Sequence, residues 1–170
     1  ARAIEGLMTV APAPVNGWPP NHRVEPALRE ARLCYDHLAG RLGVSLCDLM
    51  LRRDYVMLAD GGGELTGAGE AFLTGLGIDL GRVRGAKRRY CRSCIDWTER
   101  RHHLSGAVGA ALAQVFLERG WVARIQDSRA LAVTAGGRKK LSGLGLEDRL
   151  AAPAPRPLNA AQGRRKIGAG

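Results

Sequence analysis

A stretch of this chain occurs twice. LAGRLGVSLCDLMLRRDYV, from Leu38 to Val56, aligns without a gap with LSGAVGAALAQVFLERGWV, from Leu104 to Val122, at a constant offset of 66 residues. Leu38/Leu104, Gly40/Gly106, Gly43/Gly109, Leu46/Leu112, Arg53/Arg119 and Tyr55/Trp121 fall on matched positions. The offset then becomes 68, and TGAGEAFLTGLGI (Thr66 to Ile78) pairs with TAGGRKKLSGLGL (Thr134 to Leu146). Upstream, Cys34-Tyr35-Asp36 echoes Cys94-Ile95-Asp96 at an offset of 60. A repeat of roughly 45–55 residues is the size of one supersecondary module, so one small fold is laid down twice. With 170 residues, 45% of them apolar but only 5% aromatic, the core must be built from Leu, Val and Ala. That composition favours helix packing over an aromatic-rich sandwich.

Within each copy the pattern is helix, hairpin, helix. Leu38, Leu42, Leu46 and Leu49 follow helical spacing, as do Leu104, Val108, Leu112 and Val115. The glycines inside these helices cost about 1 kcal/mol each relative to Ala, which points to close approach by another helix. Two short strands then flank a glycine turn, Tyr55–Leu58 and Glu64–Thr66, and in the second copy Trp121–Ile125 and Ala130–Thr134 flank Gln-Asp-Ser-Arg. Thr66 and Thr134 are N-caps for short helices that stop at Gly77 and Gly145. A further helix is expected before each copy, near 26–37 and 86–99. The fold class is therefore mainly α with short β-hairpins: two pseudo-repeated, degenerate winged-helix-like units packed through their glycine-bearing helices. The expected divisions are 1–8 (the end of a preceding helix), 9–26 (a Pro-rich linker), 27–80 and 81–147 (the two units) and 148–170 (a disordered basic tail).

The charge is uneven. Lys and Arg number 26 against 16 Asp and Glu, a net +10, and the surplus is confined to 82–92 and 153–170, which contain no acid. Nucleic acid is the commonest partner of such a surface, the plain alternative being solvated basic faces. The first wing carries Asp60 and Glu64, whereas the second carries Arg124 and Arg129 and is followed by Lys139 and Lys140. DNA-backbone contact is therefore assigned to Arg88, Arg89, Arg124, Arg129, Lys139 and Lys140, through phosphates and not bases. No window approaches eighteen uninterrupted apolar residues and no secretory leader is visible, so no membrane partner is expected.

Two readings of the cysteines stand. On a helix, Cys91-x-x-Cys94 places two thiols one turn apart, and Cys34-x-x-His37 has the same spacing. With His103 these residues could hold zinc or a softer ion such as cadmium or lead. Alternatively they only pack. Cys34 and Cys94 are repeat-equivalent, at that offset the partner of His37 is Trp97, and free Cys behaves as a small buried hydrophobe. Asp96, Glu99 and His103 could be drawn as an acid–base cluster, but no nucleophile elbow or phosphate loop accompanies them, so no catalytic residue is assigned and no enzyme is expected.

The strings CYDHLAGRLGV, CIDWTERRHHLSGAVGAAL and ALAVTAGGRKKL resemble the C-terminal region of long ArsR/SmtB-type bacterial transcriptional regulators, over about residues 1–146. ARAIEGLM then resembles the end of the helix that closes the N-terminal, DNA-reading winged helix-turn-helix, which this chain is expected to lack. The resemblance implies a cytoplasmic homodimer that meets DNA through the full-length protein, with thiols kept reduced. It implies the C-terminal effector-sensing and dimerisation region of an ArsR-like repressor responsive to a soft metal ion (cadmium, lead or zinc), with no other cofactor. The alternative is a ligand-free interaction and dimerisation module with non-specific affinity for the DNA backbone.

Overall fold

The computed structural model describes residues 24–59 and 62–146. The helix end at 1–8, most of the 9–26 linker, Asp60 and Gly61 of the first wing and the 148–170 tail lie outside the described residues.

The first half runs α1 (Pro26–Glu30), β1 (Arg32–Cys34), β2 (His37–Ala39), α2 (Gly40–Arg52), β3 (Val56–Ala59), β4 (Gly62–Leu65) and α3 (Gly67–Gly75). A short helix, α4 (Leu80–Gly85), leads into the second half: β5 (Arg92–Ile95), β6 (His102–Ser105), α5 (Gly106–Glu118), β7 (Val122–Arg124), β8 (Leu131–Val133) and α6 (Ala135–Gly143). Each of the four strand pairs is an antiparallel hairpin.

The helices expected near 26–37 and 86–99 need correction. The first stops at Glu30, and Ala31 is already extended at φ −151, ψ 138. Tyr35 then adopts φ +62, so Tyr35-Asp36 folds the chain back and Leu33 meets Leu38 across a ladder. Apolar residues that pass for a helix face are thus the inward face of a hairpin. The second expected helix is absent: α4 ends at Gly85, and 86–99 is irregular backbone around the strand β5 and the start of the loop that follows it.

Register makes the repeat literal. Arg32↔Ala39, Leu33↔Leu38 and Cys34↔His37 in one hairpin correspond to Arg92↔Ser105, Ser93↔Leu104 and Cys94↔His103 in the other. His37 is therefore equivalent to His103, not to Trp97. Of the six extra residues between the 60 and 66 offsets, four lengthen the β5–β6 loop and two add the Ile95↔His102 pair to the hairpin.

The paired glycines have a different use from the one expected. Gly40 and Gly106 open α2 and α5 at φ +75 and +79, the left-handed region that glycine enters without strain. A Cβ on Gly43 would lie 2.3 Å from the Leu38 carbonyl oxygen, and one on Gly109 would lie 2.5 Å from that of Leu104. The same faces meet His103 Cβ at 3.6 Å and His37 Cβ at 3.2 Å, respectively. Each helix therefore approaches its own hairpin and the hairpin of the other half, and not a partner helix.

The halves interlock further. Leu33 N–H donates to Arg129 O and Leu131 N–H to Ala31 O, both at 2.9 Å, so β1 borders the second wing. Gly63 N–H donates to Cys91 O at 3.1 Å, which joins the first wing to the start of β5. The described residues of the two expected units accordingly share one core, in which Leu42, Met50 and Leu73 join Val108, Leu112, Phe116 and Leu141. Each such side chain contributes about 1.5–3 kcal/mol when fully buried. Thr66 and Thr134 accept from the Gly69 and Gly137 amides at 3.1 and 2.9 Å, capping α3 and α6.

Candidate metal centre

The reciprocal packing of hairpin on helix brings β1–β2 and β5–β6 together. Cys34 and His37, directly opposed in the first hairpin, meet Cys94 and His103, directly opposed in the second. One ligand atom from each of the four lies within 4.8 Å of all the others, and among the described residues this is the one His/Cys/Asp/Glu group close enough to hold a metal ion. The imidazoles are stacked, with centroids 5.0 Å apart and planes at 25°. Both histidines are buried, whereas the cysteines are half-buried.

Three ring nitrogens, His37 Nε2 and both nitrogens of His103, are buried without a hydrogen-bond partner. Native interiors rarely leave such atoms unpaired, and metal coordination would satisfy them. The other nitrogen of His37, Nδ1, stands 3.4 Å from Asp36 Oδ1, and Arg88 anchors that carboxylate from the far side. A carboxylate behind an imidazole fixes the ring and leaves Nε2 for a ligand. The Arg88 hydrogen bond holds the Asp36 carboxyl below its ordinary range. Interaction with the neighbouring Cys94, then with His103 and His37, holds the Cys34 thiol far below its ordinary range against the opposing effect of burial. Cys34 is thus poised as a thiolate, the ligating form.

Cys91 does not belong to the cluster. Along an extended strand, residues three apart point to opposite faces, so Cys91 and Cys94 diverge where a helix would have aligned them. Cys91 is buried against Gly63, with Sγ 3.2 Å from where a Cβ would stand, and burial pushes its thiol up to about 11. Its counterpart in the first half is Ala31, equally buried, so the site packs. Of the five proposed ligands the structure therefore gathers Cys34, His37, Cys94 and His103. Two thiolates and two imidazoles form a donor set suited to zinc and to its heavier congener cadmium.

Asp96 is a structural lock. Its fully buried Oδ2 accepts from Arg32 Nη2 and from the Gly40 amide, each at 2.7 Å, while Oδ1 accepts from Thr98 Oγ1 and the Thr98 and Glu99 amides. Burial pushes this carboxyl up, but the Thr98 hydrogen bond, the Arg32 charge and the Gly40 amide outweigh it and hold the pKa at about 2. The Arg32–Asp96 pair joins the two halves. The signal was available in the unequal offsets, because six extra residues after Cys94 mark a loop long enough to fold back.

The proposed DNA-contact residues occupy separate elements. Arg88 and Arg89 are exposed ahead of β5 and line a cleft of about 510 Å³ beside the cysteines. Arg124 and Arg129 are exposed on the second wing. Lys139 is exposed on α6, and Lys140 lays its Nζ 5.3 Å from the Trp121 ring centre. Among the described residues no helix is long and apolar enough to cross a membrane.

Comparison with known proteins finds similarity to an uncharacterized HTH-type transcriptional regulator, YdfF, of Bacillus subtilis (strain 168). The two are 36% identical over 138 residues, which is 81% of this chain and 61% of that relative. The chain thus spans about three-fifths of the length of the regulator it matches. No protein-family model matches, and no solved structure matches.

Proposed function

We propose that this chain is the effector-sensing and dimerisation region of an ArsR-like transcriptional repressor, and that its effector is a soft or borderline metal ion held by Cys34, His37, Cys94 and His103. Similarity to a named HTH-type regulator over most of the chain supports the regulatory role. The observation that carries the metal reading is the convergence of four ligand atoms within 4.8 Å around ring nitrogens that are otherwise buried and unpartnered. A bound ion would supply the mutual attraction of two thiolates and two imidazoles contributed equally by the two halves. Its binding energy therefore favours whichever packing keeps the hairpins together, a population shift able to alter the spacing of DNA-reading domains in a homodimer. DNA is met by the full-length protein in the cytoplasm, with Arg124, Arg129, Lys139 and Lys140 adding backbone contacts and Arg88 and Arg89 a further basic edge.

The test is a titration of the reduced chain with cadmium, followed by the ultraviolet thiolate-to-metal band. One equivalent saturates the band; Cys34→Ser and Cys94→Ser each weaken it, and Cys91→Ser leaves it intact. No band near stoichiometric cadmium ends the metal reading. The exposed basic residues of the second wing and α6 favour a second reading, a ligand-free interaction module with non-specific DNA-backbone affinity. That module binds random duplex with a steep salt dependence whether or not cadmium is present.

A further inference from the structure

Four free thiols stand in two environments. Cys47 and Cys91 are 1% and 3% exposed and packed into the core, which keeps them from an oxidant in water. Cys34 and Cys94 are half-buried, and both line the cleft of about 510 Å³. Their sulfurs lie within 4.8 Å of each other, although they belong to different halves and stand 60 residues apart in the chain. A disulfide holds its sulfurs at about 2.05 Å. Rotation about the two Cα–Cβ bonds supplies the approach, because each of these cysteines borders the cleft and not only packed protein. The one close pair of sulfurs among the four thiols is therefore also the pair that a small oxidant in water reaches.

We propose that Cys34 and Cys94 are an oxidation site: a hydroperoxide entering the cleft converts them into a disulfide that joins the two halves and shuts out the metal ion. One cysteine sulfur attacks a peroxide oxygen, the O–O bond breaks, a sulfenic acid remains on that sulfur and one water leaves. The second sulfur then attacks the first, the S–S bond forms and the sulfenic oxygen departs as a second water. Two thiols and one hydrogen peroxide thus become one disulfide and two waters; the sulfurs are oxidised and the peroxide oxygens reduced. Thiol reductants reverse the step, so in a reducing compartment the bond is transient. A disulfide sulfur is not a thiolate ligand, so the oxidised pair leaves only two imidazoles of the four-ligand cluster. Conversely, an ion held by both sulfurs occupies the electron pairs that attack peroxide. The mutual exclusion rests on the proposed metal centre; the disulfide itself does not. Two chemical inputs, an ion and an oxidant, act on the same pair of atoms.

The experiment treats the full chain, reduced and metal-free, with one equivalent of hydrogen peroxide, alkylates the remaining thiols and maps tryptic peptides by mass spectrometry without reduction. Trypsin puts the four cysteines on separate peptides: Cys34 on 33–41, Cys47 on 42–52, Cys91 on 90–92 and Cys94 on 93–100. The expected product is a monomer in which 33–41 is linked to 93–100, while Cys47 and Cys91 are alkylated; a phosphine reductant restores both peptides. Cys34→Ser and Cys94→Ser abolish the link, but the decisive reading is on the unaltered chain and needs no variant. One bound equivalent of cadmium slows the linkage at least tenfold, and the oxidised chain shows no cadmium–thiolate band until it is reduced. Oxidation of Cys47 or Cys91 first, a link between chains in place of the internal one, or no link at all overturns the proposal. An absent link beside an intact cadmium band does so and leaves the metal reading standing. A link in a chain that never shows the band keeps the oxidation site and ends the metal reading with its exclusion. Linkage at an unchanged rate with cadmium bound overturns the exclusion.

Discussion

The two N-terminal hairpins are the same object completed in two ways. Each sets a cysteine opposite a histidine, follows at once with a left-handed glycine, and lays its histidine on a glycine of the other half's helix. One has a two-residue turn and leaves its aspartate in solvent. The other has a six-residue loop and buries its aspartate against Arg32 of the other half. What is shared by both copies is the opposed cysteine and histidine and the helix entry. What differs is which hairpin's aspartate is sealed by protein and which is left exposed. Duplication supplied the symmetric cluster, and loop length then made one face structural and the other accessible.

The sharpest way to break this comparison is to remove each aspartate in turn. Asp96→Ala leaves the Arg32 guanidinium, 1% exposed, and the Gly40 amide without their acceptor. Loss of one partner from a buried pair costs about 3–5 kcal/mol. Asp36→Ala disturbs a pair whose members are 46% and 41% exposed, and such pairs contribute below about 1 kcal/mol. Urea denaturation of both variants reads the difference, and equal losses would mean that the hairpins are not divided into sealed and open sides. Next in size is the metal itself. At free cadmium a hundredfold above its dissociation constant the native state gains about 2.7 kcal/mol. That gain disappears in Cys34→Ser and in Cys94→Ser alike if both halves contribute equally to the cluster. A gain that survives one of the two changes shows that a single hairpin holds the ion.

The glycines test the symmetric part. Gly43→Ala and Gly109→Ala each force a Cβ into a carbonyl oxygen at 2.3 and 2.5 Å, backbone atoms that cannot move aside cheaply. Overpacking of this kind costs about 1–3 kcal/mol, and the two variants should lose similar amounts in thermal unfolding. Markedly unequal losses show that the halves are held to their hairpins by different means.

Much of this was legible in the residues and some was not, for identifiable reasons. The threonine caps, the glycines that end the short helices and the helical spacing of Leu42, Leu46 and Leu49 are local signals, and local structure follows them, whereas Leu38, expected on the same helix, lies in β2. The hairpins around Cys34 and Cys94 were mistaken for helices because their turns lack the usual chemistry: Tyr35 and Arg100 take φ +62 and +52 without glycine or asparagine. Tertiary packing between the halves supplies what the local sequence does not. That one error also placed Cys91 beside Cys94, since helix and strand disagree about which face a residue three positions away occupies. The identity of the ligand set therefore depended on secondary structure, whereas His103 could be aligned with His37 once the unequal offsets were assigned to a loop.

The smallest effect sharpens the comparison from the stabilising side. Gly67 follows the Thr66 cap at the first position of α3, and its counterpart after Thr134 is Ala135. Nothing stands within 4 Å of a Cβ built on Gly67, and its φ is not positive, so an alanine fits without strain. Replacing glycine where the backbone already suits alanine lowers the entropy of the unfolded chain and stabilises by about 0.4–1 kcal/mol. Gly67→Ala should therefore raise the thermal midpoint while leaving cadmium binding unchanged, because α3 lies away from both hairpin turns. The reverse change, Ala135→Gly, should lower stability by a similar amount, since the two positions start the same helix in equivalent copies. If Gly67→Ala destabilises instead, the first copy of the short helix is entered differently from the second, and the equivalence holds for the hairpins but stops before α3.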